Sequence, residues 1–313
     1  MENSTLGKDG LFVKPLCIGT WAWGDKLFWN YGDGYGEAEL EEAFTAAIAA
    51  GVTCFDTAEV YGLGLSEKLL GQFRLKTQQN IQIATKFGPL PWRFTGESVS
   101  TALTDSLNRL QVDKVELYQV HWPFTFLISQ ETLMNMLANE VERGRIGAIG
   151  VSNYSAKQMR EAHEILAKRG LPLATNQVRY SLLSRQIESQ GILSTARDLG
   201  ITILAYSPLA QGLLTGKYTG DQPPVGLRSL DPKFSRDGLR KIAPITSLLS
   251  KIGEVHQKSI AQVALNWLIA QENVVPIAGV KNAAQVNHNV GALGWKLTDI
   301  EVHELDQASR DYL

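Results

Sequence analysis

Cysteine is nearly absent: the 313 residues contain two, Cys17 and Cys54, each inside an apolar run. Two thiols in a chain of this length make no disulfide framework, and the expectation is two small buried side chains rather than a redox switch. Charge of one sign is not in excess either. A total of 30 Lys and Arg against 32 Asp and Glu leaves a formal net charge of −2. That balance excludes the basic footprint of a nucleic-acid binder and the polybasic tract of a membrane-surface protein. No apolar run approaches the roughly 20 residues of a membrane span, and Met1 to Gly10 lacks the charged-then-apolar build of a signal peptide. The expected location is therefore the cytoplasm. No G-x-G-x-x-G opens a helix after an early strand, so a Rossmann site is not supported. Histidine is scarce. Of the five, His163, His256, His288 and His303 fall in helical stretches and read as solvated surface residues. Without a second histidine at a strand end, or further carboxylates beside it, no metal site is indicated.

What is present is an ordinary globular composition, 44% hydrophobic and 20% charged, with enough apolar side chains for a substantial core. The length suits two average domains or one large α/β barrel. Thr5 to Leu16 reads as a hairpin around the turn Lys8-Asp9-Gly10. From there strand and helix alternate without a break. Strands are expected at Pro15 to Thr20, Val52 to Asp56, Ile81 to Lys86, Val115 to His121, Ala148 to Val151, Ala174 to Val178, Thr202 to Tyr206 and Val274 to Ile277. Helices are expected at Glu37 to Ala50, Ser66 to Phe73, Thr101 to Leu110, Gln130 to Arg143, Ser155 to Arg169, Ile187 to Leu199, Ile260 to Glu272 and Asp299 to Ala308. Eight strands separated by helices, with no linker, predict a (β/α)₈ TIM barrel with an N-terminal hairpin, in a single domain spanning residues 1–313. Only Leu209 to Ala243 lacks periodicity. A loop of that length is usually functional, and its place after the seventh strand puts it on the face where such barrels carry their chemistry.

The run Gly51-Val-Thr-Cys-Phe-Asp-Thr-Ala-Glu-Val-Tyr-Gly62 ends a buried strand on a carboxylate, Asp56, with Tyr61 five residues further on. A charge there is costly without a partner. Lys86, closing Ile81-Gln-Ile-Ala-Thr-Lys86, is the obvious one, and the next strand-like run ends in His121. Any one of these alone reads better as a packed aromatic, a structural ion pair or a satisfied core histidine. Together, at the carboxyl ends of three successive strands of a barrel, they point to catalysis. Just beyond the first strand, Trp21 to Tyr31 holds Trp21, Trp23, Phe28, Trp29 and Tyr31. So aromatic a loop suggests a pocket wall, as do Trp92 and the stretch from Trp122 to Phe126.

These blocks resemble the aldo-keto reductase family, whose catalytic tetrad is Asp, Tyr, Lys and His. F-D-T-A-x-x-Y-G supplies Asp56 and Tyr61, A-T-K supplies Lys86, and L-Y-Q-V-H-W supplies His121. The likeness continues in order through Gly147-Ala-Ile-Gly-Val-Ser-Asn153, Asn176-Gln177, Ala205-Tyr-Ser-Pro-Leu209 and Pro276-Ile-Ala-Gly-Val-Lys281. Within the family, W-A-W-G-D and the aromatics after it are most similar to plant plastid and cyanobacterial members, among them pyridoxal-reductase-like proteins. The resemblance implies reduction of a small-molecule aldehyde or ketone by NADPH. Tyr61 would be the proton donor, Lys86 and Asp56 its tuning pair, and His121 the donor that orients the carbonyl.

The resemblance also implies where NADP would lie. Ser152, Asn153 and Gln177 match positions that hold the nicotinamide carboxamide, and Tyr206 the residue stacked on its ring. Ser207, Leu209 and Gly212 would line the pyrophosphate, with Lys217 as an extra charge. At the adenosine end, Gly279, Lys281, Gln285 and Asn289 would surround the 2′-phosphate and base. Gln285 stands where many members carry arginine, and His288 where glutamate is common. NADPH remains the expectation because Lys281 is kept and no acidic residue stands in the segment to take the ribose hydroxyls. The family also includes channel-associated β subunits, so a regulatory NADPH-binding subunit with little turnover is the alternative. A metal-dependent barrel hydrolase using Asp56 and His121 is a more distant one. The sequence leaves the oligomeric state open, with a monomer as the expectation.

Overall fold

In a computed structural model, residues 4–7, 11–124, 128–219 and 231–313 are described. Strands β1 (Ser4–Leu6) and β2 (Leu11–Val13) pair antiparallel. The expected turn Lys8-Asp9-Gly10 between them lies outside the described residues. Eight parallel strands follow: β3 (Cys17–Gly19), β4 (Cys54–Asp56), β5 (Gln82–Phe87), β6 (Val115–Val120), β7 (Ile146–Ser152), β8 (Leu173–Arg179), β9 (Thr202–Tyr206) and β10 (Val274–Gly279). They pair in sequence order, and β10 closes back onto β3, so the sheet is a barrel with helices between its strands. Every strand expected from the sequence is present.

Closure removes sheet edges and buries both faces, which is why these strands read as near-continuous apolar runs. Side chains inside the barrel form a layer of their own. Leu6 and Val13 of the hairpin pack with Cys17, Cys54, Ala84, Leu117, Leu204, Val275 and Ile277 at the amino end. The hairpin is fastened there by Thr202, whose hydroxyl accepts from Gly7 N at 2.9 Å and donates to Thr5 O at 3.0 Å. Outside the barrel, a second and larger apolar cluster fills the space between strands and helices, with Trp23, Phe44, Phe55, Phe73 and Trp267 among its largest members. Helix starts are set locally. Ser155, Ser259 and Thr298 each cap a helix, and each is answered three residues later by Gln158, Gln262 or Glu301 in a capping box, a device worth about 1 kcal/mol per helix.

Three features depart from the sequence expectation. Cys17 and Cys54 are buried as expected but are joined as a disulfide. Ile18 and Phe55 stand opposite each other across the β3–β4 ladder, so the residues before them meet inside the barrel, with Cα atoms 4.9 Å apart. Their separation of 37 positions in sequence hides that neighbourhood. The helix expected over Ile187 to Leu199 is two pieces, Gln186–Ser189 and Ile192–Leu199, parted at Gly191 with φ 72°. The irregular stretch expected to Ala243 instead carries the helix Arg236–His256, which runs through Pro244; residues 220–230 lie outside the described ones. No helix among the described residues is long and apolar enough to cross a membrane.

The barrel interior is closely packed between β6 and β8. Lys86, Gln119, Gly150 and Thr175 stand side by side in register on β5 to β8. A Cβ on Gly150 would press on the Thr175 hydroxyl and come within 2.8 Å of Gln119 Cγ. Gly150→Ala is therefore expected to lower the unfolding free energy by about 1–3 kcal/mol, as overpacking does, measured by urea denaturation with an unchanged m-value.

Candidate active site

Asp56 ends β4, Lys86 is the penultimate residue of β5 and His121 follows β6, while Tyr61 stands on the loop after β4. All four meet at the carboxyl rim of the barrel. Lys86 has no solvent exposure and Asp56 4%. The Lys86 ammonium donates to Asp56 Oδ2 at 2.6 Å, to the Thr57 carbonyl at 2.8 Å and to Tyr61 Oη at 3.3 Å. Its three protons thus have three acceptors, which is what a buried ammonium requires. The other carboxylate oxygen, Asp56 Oδ1, accepts from Gln177 Nε2 at 2.7 Å and from Gln119 Nε2 at 3.3 Å.

The electrostatics follow from that burial. For Lys86 the largest influence is desolvation, which lowers its pKa; Asp56 and Tyr61 oppose it, and the balance lies above the ordinary lysine value. The amine stays charged. For Tyr61 burial pushes the phenol up and Lys86 pulls it down, with burial prevailing. The phenol therefore keeps its proton at neutral pH, as a proton donor must. The ammonium at 3.3 Å lowers the cost of the phenolate that forms as the proton leaves. His121 is held at about 2, first by burial and then by Lys86. Its ring is neutral, stands edge-on to Tyr61 with centroids 5.7 Å apart, and stacks on Trp122 at 3.9 Å. Its Nδ1 is buried and meets no partner among the described residues.

The residues expected to hold a nicotinamide gather beside this cluster. Ser152 Oγ donates to the Gln177 carbonyl at 2.8 Å, Asn153 Nδ2 reaches Ser152 Oγ at 3.1 Å, and Tyr206 Oη donates to Asn153 Oδ1 at 3.1 Å. Asn153 and Ser207 adopt left-handed φ of 62° and 53°, a cost that residues other than glycine bear mostly where a site demands it. Leu209 and Gly212 belong to the turn after β9, and Lys217 follows it with its amine 4.7 Å from the Tyr218 ring centroid. Gly279 ends β10, and a Cβ there would touch nothing within 4 Å, so its face is open. Gln285 sits in the first turn of Ala283–Val290, where its Oε1 accepts from Lys281 N at 2.8 Å; Asn289 lies buried further along. Lys281 Nζ donates to the Trp29 carbonyl at 2.8 Å and lies over the Trp29 and Tyr35 rings at 5.0 and 4.3 Å. It thereby ties the aromatic loop to the β10 end. Amide and hydroxyl groups suited to a carboxamide, an aromatic face and an open glycine suit a nicotinamide dinucleotide.

Around Tyr61 the wall is aromatic. Trp21 stands 6.4 Å from the Tyr61 ring, stacked on Phe28 at 5.1 Å, and Trp122 stacks with Phe124 at 6.1 Å. Trp92 is largely exposed, and Phe126 lies outside the described residues. The sequence reading missed Gln119 and the Thr57 carbonyl. Gln119 could have been found, since it lies two residues before His121 in the expected strand Val115 to His121, where alternate residues face the same side; the carbonyl has no sequence signal.

Because the folded-state value of His121 lies below the ordinary 6.5, the unfolded chain binds a proton that the native state refuses. Stability from this residue is full above pH 6.5 and falls below it, by at most about 1.4 kcal/mol per pH unit. His121 ring resonances should stay flat as pH falls through 6.5, and a titrating ring would refute the neutral assignment.

Residues 15–310 match the Aldo/keto reductase family. The chain is 41% identical to a chloroplastic pyridoxal reductase of Arabidopsis thaliana, over 96% of this chain and 84% of that protein. It is 33% identical to the aldo-keto reductase yakc [NADP(+)] of Schizosaccharomyces pombe, over 89% and 84%. Among solved structures, a glycerol dehydrogenase of Gluconobacter oxydans superposes with a TM-score of 0.86 at 29% identity, covering 99% of this chain and 95% of that one. With the barrel, the floor hairpin and the family match running across nearly the whole chain, this protein belongs to the aldo/keto reductase family and is an oxidoreductase.

Proposed function

We propose that the protein reduces aldehydes or ketones to alcohols with NADPH, using Tyr61 as proton donor. The observation that carries this reading is the buried Lys86 ammonium bonded to both Asp56 and Tyr61. When bound, NADPH supplies the hydride. The chain's own residues do the rest. Neutral His121, buried beside Tyr61, donates to the carbonyl oxygen and orients it. Tyr61 Oη gives up its proton to that oxygen as negative charge develops there. Lys86 stabilises the phenolate left behind, and Asp56 keeps Lys86 charged and aimed. Ser152, Asn153 and Gln177 hold the carboxamide, and Tyr206 covers the ring. Ser207, Leu209, Gly212 and Lys217 take the pyrophosphate, while Gly279, Lys281, Gln285 and Asn289 take the adenosine end.

The aromatic wall of Trp21, Phe28, Trp122 and Phe124 favours planar aromatic aldehydes as substrates. Pyridoxal is the first to try, since a relative of 41% identity is named a pyridoxal reductase. Preference for NADPH over NADH rests on Lys281 and on a relative named for NADP(+). A cytosolic location is part of the same proposal, although the Arabidopsis relative is chloroplastic.

Tyr61→Phe should fold normally and lower kcat for pyridoxal by about 10²–10⁴-fold, followed as NADPH absorbance; wild-type turnover would refute the acid assignment. Lys281→Ala should raise KM for NADPH well above any change for NADH. An equal effect on both would remove Lys281 from the 2′-phosphate.

A further inference from the structure

Tyr61 stands on a loop and not on a strand. Its one hydrogen bond there is the long 3.3 Å contact to Lys86, whereas Asp56 and Lys86 stand on strands. On its carboxyl side Gly62 lies against the Gly24 backbone, while Leu63 is 97% exposed in a left-handed turn at φ 55°. The amino side of the loop carries a further restraint.

A buried ion pair lies there. Glu59, two residues before Tyr61, accepts from both arms of the Arg93 guanidinium: Nη1 to Oε1 at 2.5 Å and Nη2 to Oε2 at 2.8 Å. The two side chains are 7% and 15% exposed. The pair encloses the backbone of Gly88, two residues after Lys86. Gly88 N donates to Glu59 Oε1 at 2.6 Å, and the Gly88 carbonyl accepts from Arg93 Nη1 at 2.6 Å. The guanidinium also rests 5.0 Å from the Phe87 ring centroid. One carboxylate and one guanidinium thus join the loop that carries Tyr61 to the strand end that carries Lys86. Only arginine presents two parallel donors and can still reach a carbonyl with the same planar group.

We propose that Glu59 and Arg93 are positioning residues for proton donation, a clamp that sets the Tyr61–Lys86 distance by closing the β4 loop onto Gly88. The inference rests on the reading of Tyr61 as proton donor. Neither residue is among those that the proposed function assigns to substrate or cofactor. Loss of the clamp leaves the dinucleotide residues on β7 to β10 in place but lets Tyr61 drift from the ammonium. Weaker help from Lys86 moves the Tyr61 pKa upward, and displacement of a donor by about 1 Å costs up to about a hundredfold in rate.

The test compares wild type with Arg93→Met, Arg93→Lys and Glu59→Gln, using NADPH and pyridoxal together with a panel of other carbonyl compounds, and backbone hydrogen exchange without cofactor. Arg93→Met should lower kcat by about ten- to a hundredfold. Its KM for NADPH should stay near that of wild type, the alkaline limb of the kcat profile should move to higher pH, and Gly88 N–H exchange should quicken by roughly tenfold or more. Arg93→Lys, which keeps the charge without the fork, should fall between. If Arg93→Met does not fold, Glu59→Gln retains the side-chain shape and an acceptor for Gly88 while discarding the ion pair, and should show the same kcat loss and pH shift. Wild-type kcat and pH profile in a folded variant would overturn the positioning role. Unchanged Gly88 exchange would overturn the clamp itself. Absence of turnover by the wild type on every carbonyl compound would sink the reductase reading instead, and the cofactor-free exchange data would still decide whether the clamp exists.

Discussion

The site turns on one buried cation. Lys86 sits where water cannot reach it, and desolvation alone would strip its proton. Asp56 at 2.6 Å and Tyr61 at 3.3 Å reverse that tendency, so the ammonium persists. Around it each neighbour takes a fixed protonation state. Burial, seconded by the same charge, keeps His121 neutral, and the third proton of the ammonium points at Tyr61. Burial around that ion pair leaves a neutral imidazole and a protonated phenol side by side, the states that carbonyl reduction asks of an orienting donor and an acid.

A barrel is a suitable frame for such a cation because adjacent parallel strands bring their carboxyl ends to one rim. Asp56 stands in register with Ala84, and Lys86 with Gln119, so the ladder fixes how far the carboxylate and the amine can separate. Asp56 Oδ1 is bonded to Gln177 from the far side of the interior. The residue expected to hold a carboxamide therefore also steadies the carboxylate that steadies the amine. On the proposed reading, cofactor site and proton-donating site share a hydrogen bond and are not independent modules.

Much of this was legible in the sequence because the chemistry ends strands. Apolar runs closed by Asp56, Lys86 or His121 are conspicuous, and strand–helix alternation gave the barrel, since periodicity reports which faces are buried. What escaped detection lacks a periodic signature. The Arg236–His256 helix was hidden by Gly238 and Pro244, residues that ordinarily mark breaks. The pairing of Cys17 with Cys54 depends on register between strands, which composition cannot supply. Gln119 hid among apolar neighbours as if it were filler, and the Thr57 carbonyl belongs to the backbone, which every residue shares.

The aromatic loop adds a further constraint. Lys281 holds it through the Trp29 carbonyl and the rings of Trp29 and Tyr35, while Trp21 on the same loop faces Tyr61. A phosphate drawing on that ammonium competes with the carbonyl and the rings for one charge, and a cation shared with a strongly charged acceptor bonds its neutral partners less tightly. Phosphate binding at the adenosine end and the position of the pocket wall near Tyr61 are therefore linked through a single side chain, so on the proposed reading NADPH and NADH would leave the aromatic wall in different states even where both donate the same hydride.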